Sequence, residues 1–442
     1  MLAMEEAEWG QVSHSLTAPR RAAAKLADFA ARQGQTLLIG DDEGRPAQVL
    51  FGLGAGARLA HFRELGGRLA AGEYRLEGPL GVDPTAAAVA FASGAYRFDR
   101  YRKATPQAHL APPEGADPGL IRAQVHALAL ARDMINTPAN DMGPLQIETI
   151  AREIAEAHGA AFQVTTGEAL LEAGYPAVHA VGRAAAAHRS PRMIEFAWGD
   201  TGPRLAIVGK GVAFDTGGLD IKPTAGMRLM KKDMGGAAHA LALARMVMAA
   251  GLPVRLSVLV PAVENAISAD AMRPGDVIAS RKGLTIEVGN TDAEGRLILA
   301  DALTRAAELE PDLTLDFATL TGAARVALGP DLPPFYTDDE ALAGAITAAA
   351  LAAQDPLWRM PLWPGYEAAL ASDIADITNE PDAWAQAGSV TAALFLKRFA
   401  PSGAWAHLDI FGWNPRGRPG WPKGAEAQGL LALFAMLKAR YV

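Results

Sequence analysis

Cysteine is absent from this 442-residue chain. That excludes disulfides, thiolate metal sites and a cysteine nucleophile, and it fits a reducing compartment. Long apolar runs are missing too. No stretch of about 20 apolar residues occurs, so no membrane span is expected. The opening "MLAMEEAEWG" has early acids and no apolar core, unlike a secretory signal. Dense positive charge is the third absence. Arg20-Arg21 and Lys231-Lys232 are only pairs, and the formal net charge is −8. The acidic balance argues against nucleic-acid binding through a basic surface. These absences together predict a soluble, cytoplasmic protein.

What is present is enough apolar material for a large core. Half of the chain is hydrophobic and 20% is charged. The length suits two domains. In the first hundred residues, "TLLIG" (36–40), "QVLFGLG" (48–54) and "AVAFASGAY" (88–96) suit buried strands, and "RRAAAKLADFAARQG" (20–34) suits a helix. A small N-terminal α/β domain over 1–115 is expected. "APPEGADPG" (111–119) has linker composition, and residues 116–135 are expected to form a linking helix. The rest, to residue 442, reads as a larger α/β domain with a mainly parallel central sheet. Its strands are expected in 204–211, 254–265, 284–290, 313–323 and 405–412. Helices are expected in 235–251, 295–310 and 388–399. In such sheets, polar residues just past the strand ends form the site.

Polar residues do collect there. "VGKGVAFDTGGLDIKP" (208–223) carries Lys210, Asp215, Asp220 and Lys222. "LMKKDMGG" (229–236) supplies Asp233, and "GNTDAEGRL" supplies Asp292, Glu294 and Arg296. "DFATLTGA" (316–323) adds Thr319 and Thr321. The pair Asp292 and Glu294 admits three readings. As a helix start, Asp292 is an N-cap and Glu294 sits in the first turn. As a calcium loop starting at Asn290, Asp301 falls at position 12, but the flanking segment has strand character. As a catalytic metal site, the two join Asp215 and Asp233. Four carboxylates at one sheet edge repel and raise one another's pKa unless cations sit among them. Two divalent ions would balance them, at the spacing of about 3.5–4 Å typical of two-metal hydrolases. Lys210 could ligate as a neutral amine, since burial and an ion lower its pKa. Lys222 and Arg296 would stay cationic and face negative charge. His239 is expected to pack in the core rather than bind metal.

These combined segments resemble the leucyl aminopeptidase family of dimetal exopeptidases. "NTDAEGRL" matches the family signature, and "VGKGVAFDTGG", "IKP", "DMGG", "DFATLTGA" and "WAHLDI" follow in family order. The resemblance implies that Asp215 and Glu294 touch both metals, zinc or manganese. Asp292 would bind the first, and Lys210 and Asp233 the second. Lys222 would polarise the scissile carbonyl, and Arg296 would hold a bicarbonate ion acting as general base. Asp233 would also receive the free α-amine of a peptide substrate. Met230, Asn290, Ala293, Thr319, Gly322 and Phe411 would surround the first side chain. A homohexamer is implied as well. The alternatives are a regulatory or DNA-binding role, as in some members, or a dimetal phosphoesterase. An amine-capturing acid and a ligand lysine suit peptides better. The chain departs from the family pattern in "DTGG" for "DSGG", in Lys232 for alanine, and in Phe411 for alanine. The Phe411 ring is expected to narrow the side-chain pocket.

Overall fold

The computed structural model describes residues 1–442 except Asp42, Gly44, Pro79 and 382–385. The chain forms two compact units. One comprises Met1–Ala129 with Asn414–Gly424, the other Leu130–Trp413 with Ala425–Val442. The helix Pro118–Asn136 carries the chain from the first to the second.

In the first unit, Pro46–Gly52 is the middle strand of three. It pairs parallel with Leu2–Met4 and antiparallel with Thr36–Gly40. Of residues 88–96, expected as a strand, 88–95 belong instead to the helix Pro84–Ala95, and Tyr96 follows its end. The apolar run misled because a fully buried helix also lacks polar spacing. The start signals were there: Pro84 at the first turn, and Asp83 accepting from the Ala86 amide at 2.8 Å. The helix packs against Leu59–Arg68 at glycines. A Cβ at Gly94 would stand 1.8 Å from the Arg63 carbonyl oxygen, and one at Gly66 would stand 2.0 Å from that of Phe91. The expected helix at 20–34 is real only in part, since Ala18–Leu26 is helical and the chain then turns at Asp28 and Ala31, both with positive φ. The segment Asn414–Gly424 also builds this unit. Arg63 donates to the Gly420 carbonyl at 2.7 Å and stands over the Trp421 ring.

The second unit is built on a nine-stranded sheet. Its centre is parallel, in the order Ala404–Asp409, Leu313–Ala318, Arg204–Gly209, Arg255–Asn265. Strand Gly211–Asp215 extends the same direction along Arg255–Asn265. Antiparallel pairs flank this centre on both sides. Leu297, Leu299 and Leu303 of the helix Glu294–Glu308 share one buried core with Ala206 and Val208 of the sheet. The strand expected at 284–290 is shorter and elsewhere. Thr285–Glu287 pairs with Val277–Ala279 and Ile377–Thr378 in a separate small sheet. Asp376 holds it there by accepting from the amide and the hydroxyl of Thr285, each at 2.8 Å.

Asp301 lies inside the helix Glu294–Glu308, wholly buried. It accepts from the amides of Ala177, Val178 and Arg281 at 2.8, 3.1 and 2.7 Å. Its carboxylate therefore caps the helix Pro176–Gly182 and has no role in a calcium loop. Asp301→Ala would leave three backbone donors unmet, each costing about 1–3 kcal/mol. The expected loss is about 3–5 kcal/mol of unfolding free energy in urea titration, with Asp301→Asn less affected because one acceptor remains.

Candidate metal centre

The parallel strands bring their carboxyl ends to one place. Lys210 follows one strand, Asp215 and Asn265 end two more, and Thr319 and Asp409 mark the last two. Asp233 closes the short turn Met230–Lys232, just before the helix Gly235–Ala249. The carboxylates of Asp215, Asp292 and Glu294 each offer an oxygen within 4.8 Å of the others. Asp233 joins them through Lys210, whose ammonium is 2.7 Å from Asp233 and 3.0 Å from Glu294. Lys222 lies between Asp215, at 2.8 Å, and Asp292. Lys210, Asp215, Asp233 and Glu294 are all 3% exposed or less.

Burial sets the electrostatics. Burial first, then the Asp215 charge, push the Asp292 carboxyl up to about 7. The same two causes push Glu294 well above the usual carboxylate range. Burial also raises Asp233, but Lys210 and Lys232 outweigh it and hold the group below its ordinary value. Burial disfavours the Lys210 ammonium, yet Asp233 and Glu294 more than offset this and keep it charged. The Lys210 ammonium, 3.0 Å from one Glu294 oxygen, is shared with Asp233, and the other Glu294 oxygen has no partner among the described residues. A buried carboxylate oxygen with no donor marks a group that awaits a cation.

The turn around Asp292 is held from outside. Asn290 accepts from the Asp292 amide at 2.8 Å. Thr291 donates to the Gly217 carbonyl, and its amide donates to Asp220 at 2.8 Å, so Asp220 clamps two loops together. The residue at the helix N-cap is Ala293, with no side-chain cap. Asp292 faces Lys222 instead, so it is not the N-cap of the helix-start reading, while Glu294 does sit in the first turn as that reading expected. Gly295 is required by Lys210, because a Cβ there would come within 2.4 Å of the lysine Cε. Thr216, at the family's serine position, donates to the Asn265 carbonyl at 2.8 Å.

Three supporting residues escaped the sequence reading. Asn265 donates to Asp215 at 2.8 Å and to the Thr291 carbonyl at 3.1 Å. As a polar residue ending an expected strand, it was findable. Asn379 accepts from the amides of Gly289 and Asn290 and donates to the carbonyls of Asn290 and Ala293. Glu380 pairs with Arg296 at 3.2 Å. Neither lies in a motif. Arg296 also donates to the Asn379 carbonyl, while its buried Nε finds no acceptor among the described residues.

The residues named for the side-chain pocket are distributed unevenly. Thr319 donates to Asp233 at 2.8 Å. Met230 is half-buried in its turn, Ala293 is buried, and a Cβ on Gly322 would meet nothing. Asn290 spends its side-chain oxygen on the turn. Phe411 lies two residues past a strand, and Gln428 fixes this corner by accepting from the amides of Phe411 and Gly412 at 3.1 and 2.8 Å. The Gln428 amide donates in turn to His239 Nε2 at 2.9 Å, and His239 Nδ1 donates to the Gly235 carbonyl at 2.7 Å. His239 is thus a neutral, packed histidine, as expected from the sequence.

A parallel α/β sheet with a buried carboxylate cluster beyond its strand ends has the architecture of a metallohydrolase. Residues 129–434 match the cytosol aminopeptidase family, catalytic domain, and residues 2–113 match the M17 aminopeptidase, N-terminal domain. The chain belongs to the M17 cytosol aminopeptidase family. It is 38% identical to a probable cytosol aminopeptidase of Syntrophotalea carbinolica, over 93% of this chain and 89% of the relative. The crystal structure of the cytosol aminopeptidase from Coxiella burnetii superposes with a TM-score of 0.94 at 43% identity, covering 100% and 97% of the two chains. The bottromycin maturation enzyme BotP in complex with Mn gives 0.89 at 33%, covering 100% and 99%. The protein is a metallo-exopeptidase that acts on peptides and releases N-terminal residues.

Burial pushes His239 down to about 4, against an unfolded value near 6.5. The unfolded chain binds the extra proton, so stability is full above about pH 6.5 and falls as pH drops toward 4. The His239 share of that loss is about 2 kcal/mol at pH 5. In His239→Gln the difference in unfolding free energy between pH 7.5 and pH 5 should shrink by that amount. An unchanged difference would show that His239 is already protonated in the fold.

Proposed function

We propose that this chain holds a pair of divalent ions through Asp215, Asp233, Asp292, Glu294 and Lys210 and uses them to hydrolyse the first peptide bond. The convergence of three carboxylates within 4.8 Å, with one oxygen of the buried Glu294 left without a partner among the described residues, carries this reading. Carboxylate oxygens with one amine nitrogen suit zinc or manganese. The relative solved with Mn supports manganese. When bound, the ions supply Lewis acidity and lower the pKa of water.

The other steps belong to side chains. Lys210 would give up its proton on becoming a ligand, and Asp233, still beside Lys232, receives the free α-amine of the substrate. Its orientation is fixed by Thr319. A peptide with a blocked amine brings no free amine to this acid, so the enzyme acts only at free N-termini. Lys222 remains protonated beside Asp215 and Asp292 and stabilises negative charge developing on the carbonyl oxygen. Arg296, with an unbonded Nε, would hold a bicarbonate ion, which would supply a general base beside the water. Met230, Asn290, Ala293, Thr319, Gly322 and Phe411 surround the first side chain. We assign residues 1–115 to the N-terminal domain and 116–442 to the catalytic domain, with 116–135 as the linking helix and Asn414–Gly424 returning to the first unit. The working form is a cytoplasmic homohexamer. Its location rests on relatives named cytosol aminopeptidases and on the described residues, which include no helix long and apolar enough to cross a membrane.

The test is cleavage of leucyl and alanyl dipeptides. Chelation should abolish turnover, added Mn or Zn should restore it, and N-acetylated dipeptides should resist cleavage. Equal turnover of acetylated and free substrates would refute amine capture.

Lys210→Arg probes the second ion. Arginine keeps the charge that pairs with Asp233 and Glu294 but has no lone pair to donate. Elemental analysis should find the ion count per chain falling from two toward one. Two ions per chain in the variant would remove Lys210 from the ligand set.

A further inference from the structure

Lys232 is 6% exposed; Asp233 and Asp409 attract its ammonium from a distance, but it forms no contacting ion pair or hydrogen bond among the described residues. The ring of Phe411 lies 5.3 Å from the ammonium. Arg325 stands over the same ring, also at 5.3 Å. The two departures from the family pattern are therefore one feature: the lysine lies on the phenylalanine. Beside it opens a hollow lined by Thr321, Ala324, Arg325, Pro330, Ile410 and Phe411. Asp409 also borders the hollow, but its oxygens already accept from the amides of Leu320 and Thr321 and the hydroxyls of Thr321 and Ser389. Both charges that stand over the Phe411 ring are positive.

A buried ammonium without a contacting counter-charge is costly, and the distant carboxylates and the cation–π contact offset only part of that cost. The missing counter-charge need not come from the protein. Lys232 is the chain neighbour of Asp233, the acid assigned to the α-amine of the substrate. The side chain of that same substrate residue branches from the carbon that bears the amine, which directs it toward the neighbourhood of Asp233 and Lys232. We propose that Lys232, with Arg325 across the Phe411 ring, is a specificity-determining residue that selects peptides beginning with an acidic residue, glutamate or aspartate. The proposal rests on the assignment of Asp233 as the amine receiver. The Phe411 ring has two effects here. It occupies space that a bulky apolar side chain would need, and it holds the lysine in place. A site that offers a charged donor discriminates strongly against an isosteric substrate lacking the acceptor.

The experiment compares kcat/KM of the full-length, Mn-loaded enzyme on Glu-Ala, Gln-Ala, Asp-Ala, Asn-Ala, Leu-Ala and Ala-Ala. The expected result is a preference of about tenfold or more for Glu-Ala over Gln-Ala, and for Asp-Ala over Asn-Ala. The preference should weaken as salt is raised. In Lys232→Met the charged-to-neutral ratio should fall to about one, while Lys232→Arg should retain it. A wild-type ratio of one or below overturns the proposal without any variant having to fold. An unchanged ratio in Lys232→Met overturns it too, and leaves Lys232 as a prop for the ring. Turnover of Leu-Ala and Ala-Ala without Glu-Ala overturns this inference alone. No turnover of any dipeptide overturns the aminopeptidase assignment with it.

Discussion

Everything at the strand ends follows from placing four carboxylates in one water-poor spot. Like charges at that range do not coexist without opposite charge between them. The chain meets this with two ammonium groups threaded among the acids: Lys210 between Asp233 and Glu294, and Lys222 between Asp215 and Asp292. The arrangement fixes the neighbourhood. Gly295 has to lack a side chain so that Lys210 can pass, and Asn265 has to orient Asp215 so that its other oxygen faces Lys222. The sheet supplies rigidity, because each of these groups leaves a hydrogen-bonded strand or starts a buried helix.

The division of labour among the acids comes from the same balance. Asp233 sits next to two lysines and stays ionised, while Glu294 faces three other acids and is driven toward its neutral form. A divalent ion reverses the second situation, because it replaces repulsion by direct bonds. The site thus resists having its acids charged but unmatched, and that resistance is what makes it bind cations.

Much of this was legible in the sequence, for a physical reason. Ligands at strand-to-helix junctions are local in sequence, so "VGKGVAFDTGG" and "NTDAEGRL" announce themselves as short polar runs after apolar ones. The central strands were legible because fully buried parallel strands are continuous apolar runs. The same rule misread 88–96, where a buried helix has an equally unbroken apolar run, and only Asp83-Pro84 marked the difference. The small sheet holding Thr285–Glu287 was invisible because its partner Ile377–Thr378 lies some ninety residues away. Asn379 was missed on the same grounds. Its contribution consists of hydrogen bonds to backbone groups, which leave no imprint on the residue types it serves.

The return of Asn414–Gly424 to the first unit has a consequence for how the chain is made. A ribosome delivers residues in order, and an N-terminal domain ordinarily folds before the rest emerges. Here the first unit lacks Trp421 and the Gly420 carbonyl, two of the groups that meet Arg63, until long after Ala129 has been made. Until then it waits without the segment Asn414–Gly424. Its completion comes only after Ala404–Asp409, the last strand of the nine-stranded sheet in chain order, has been added.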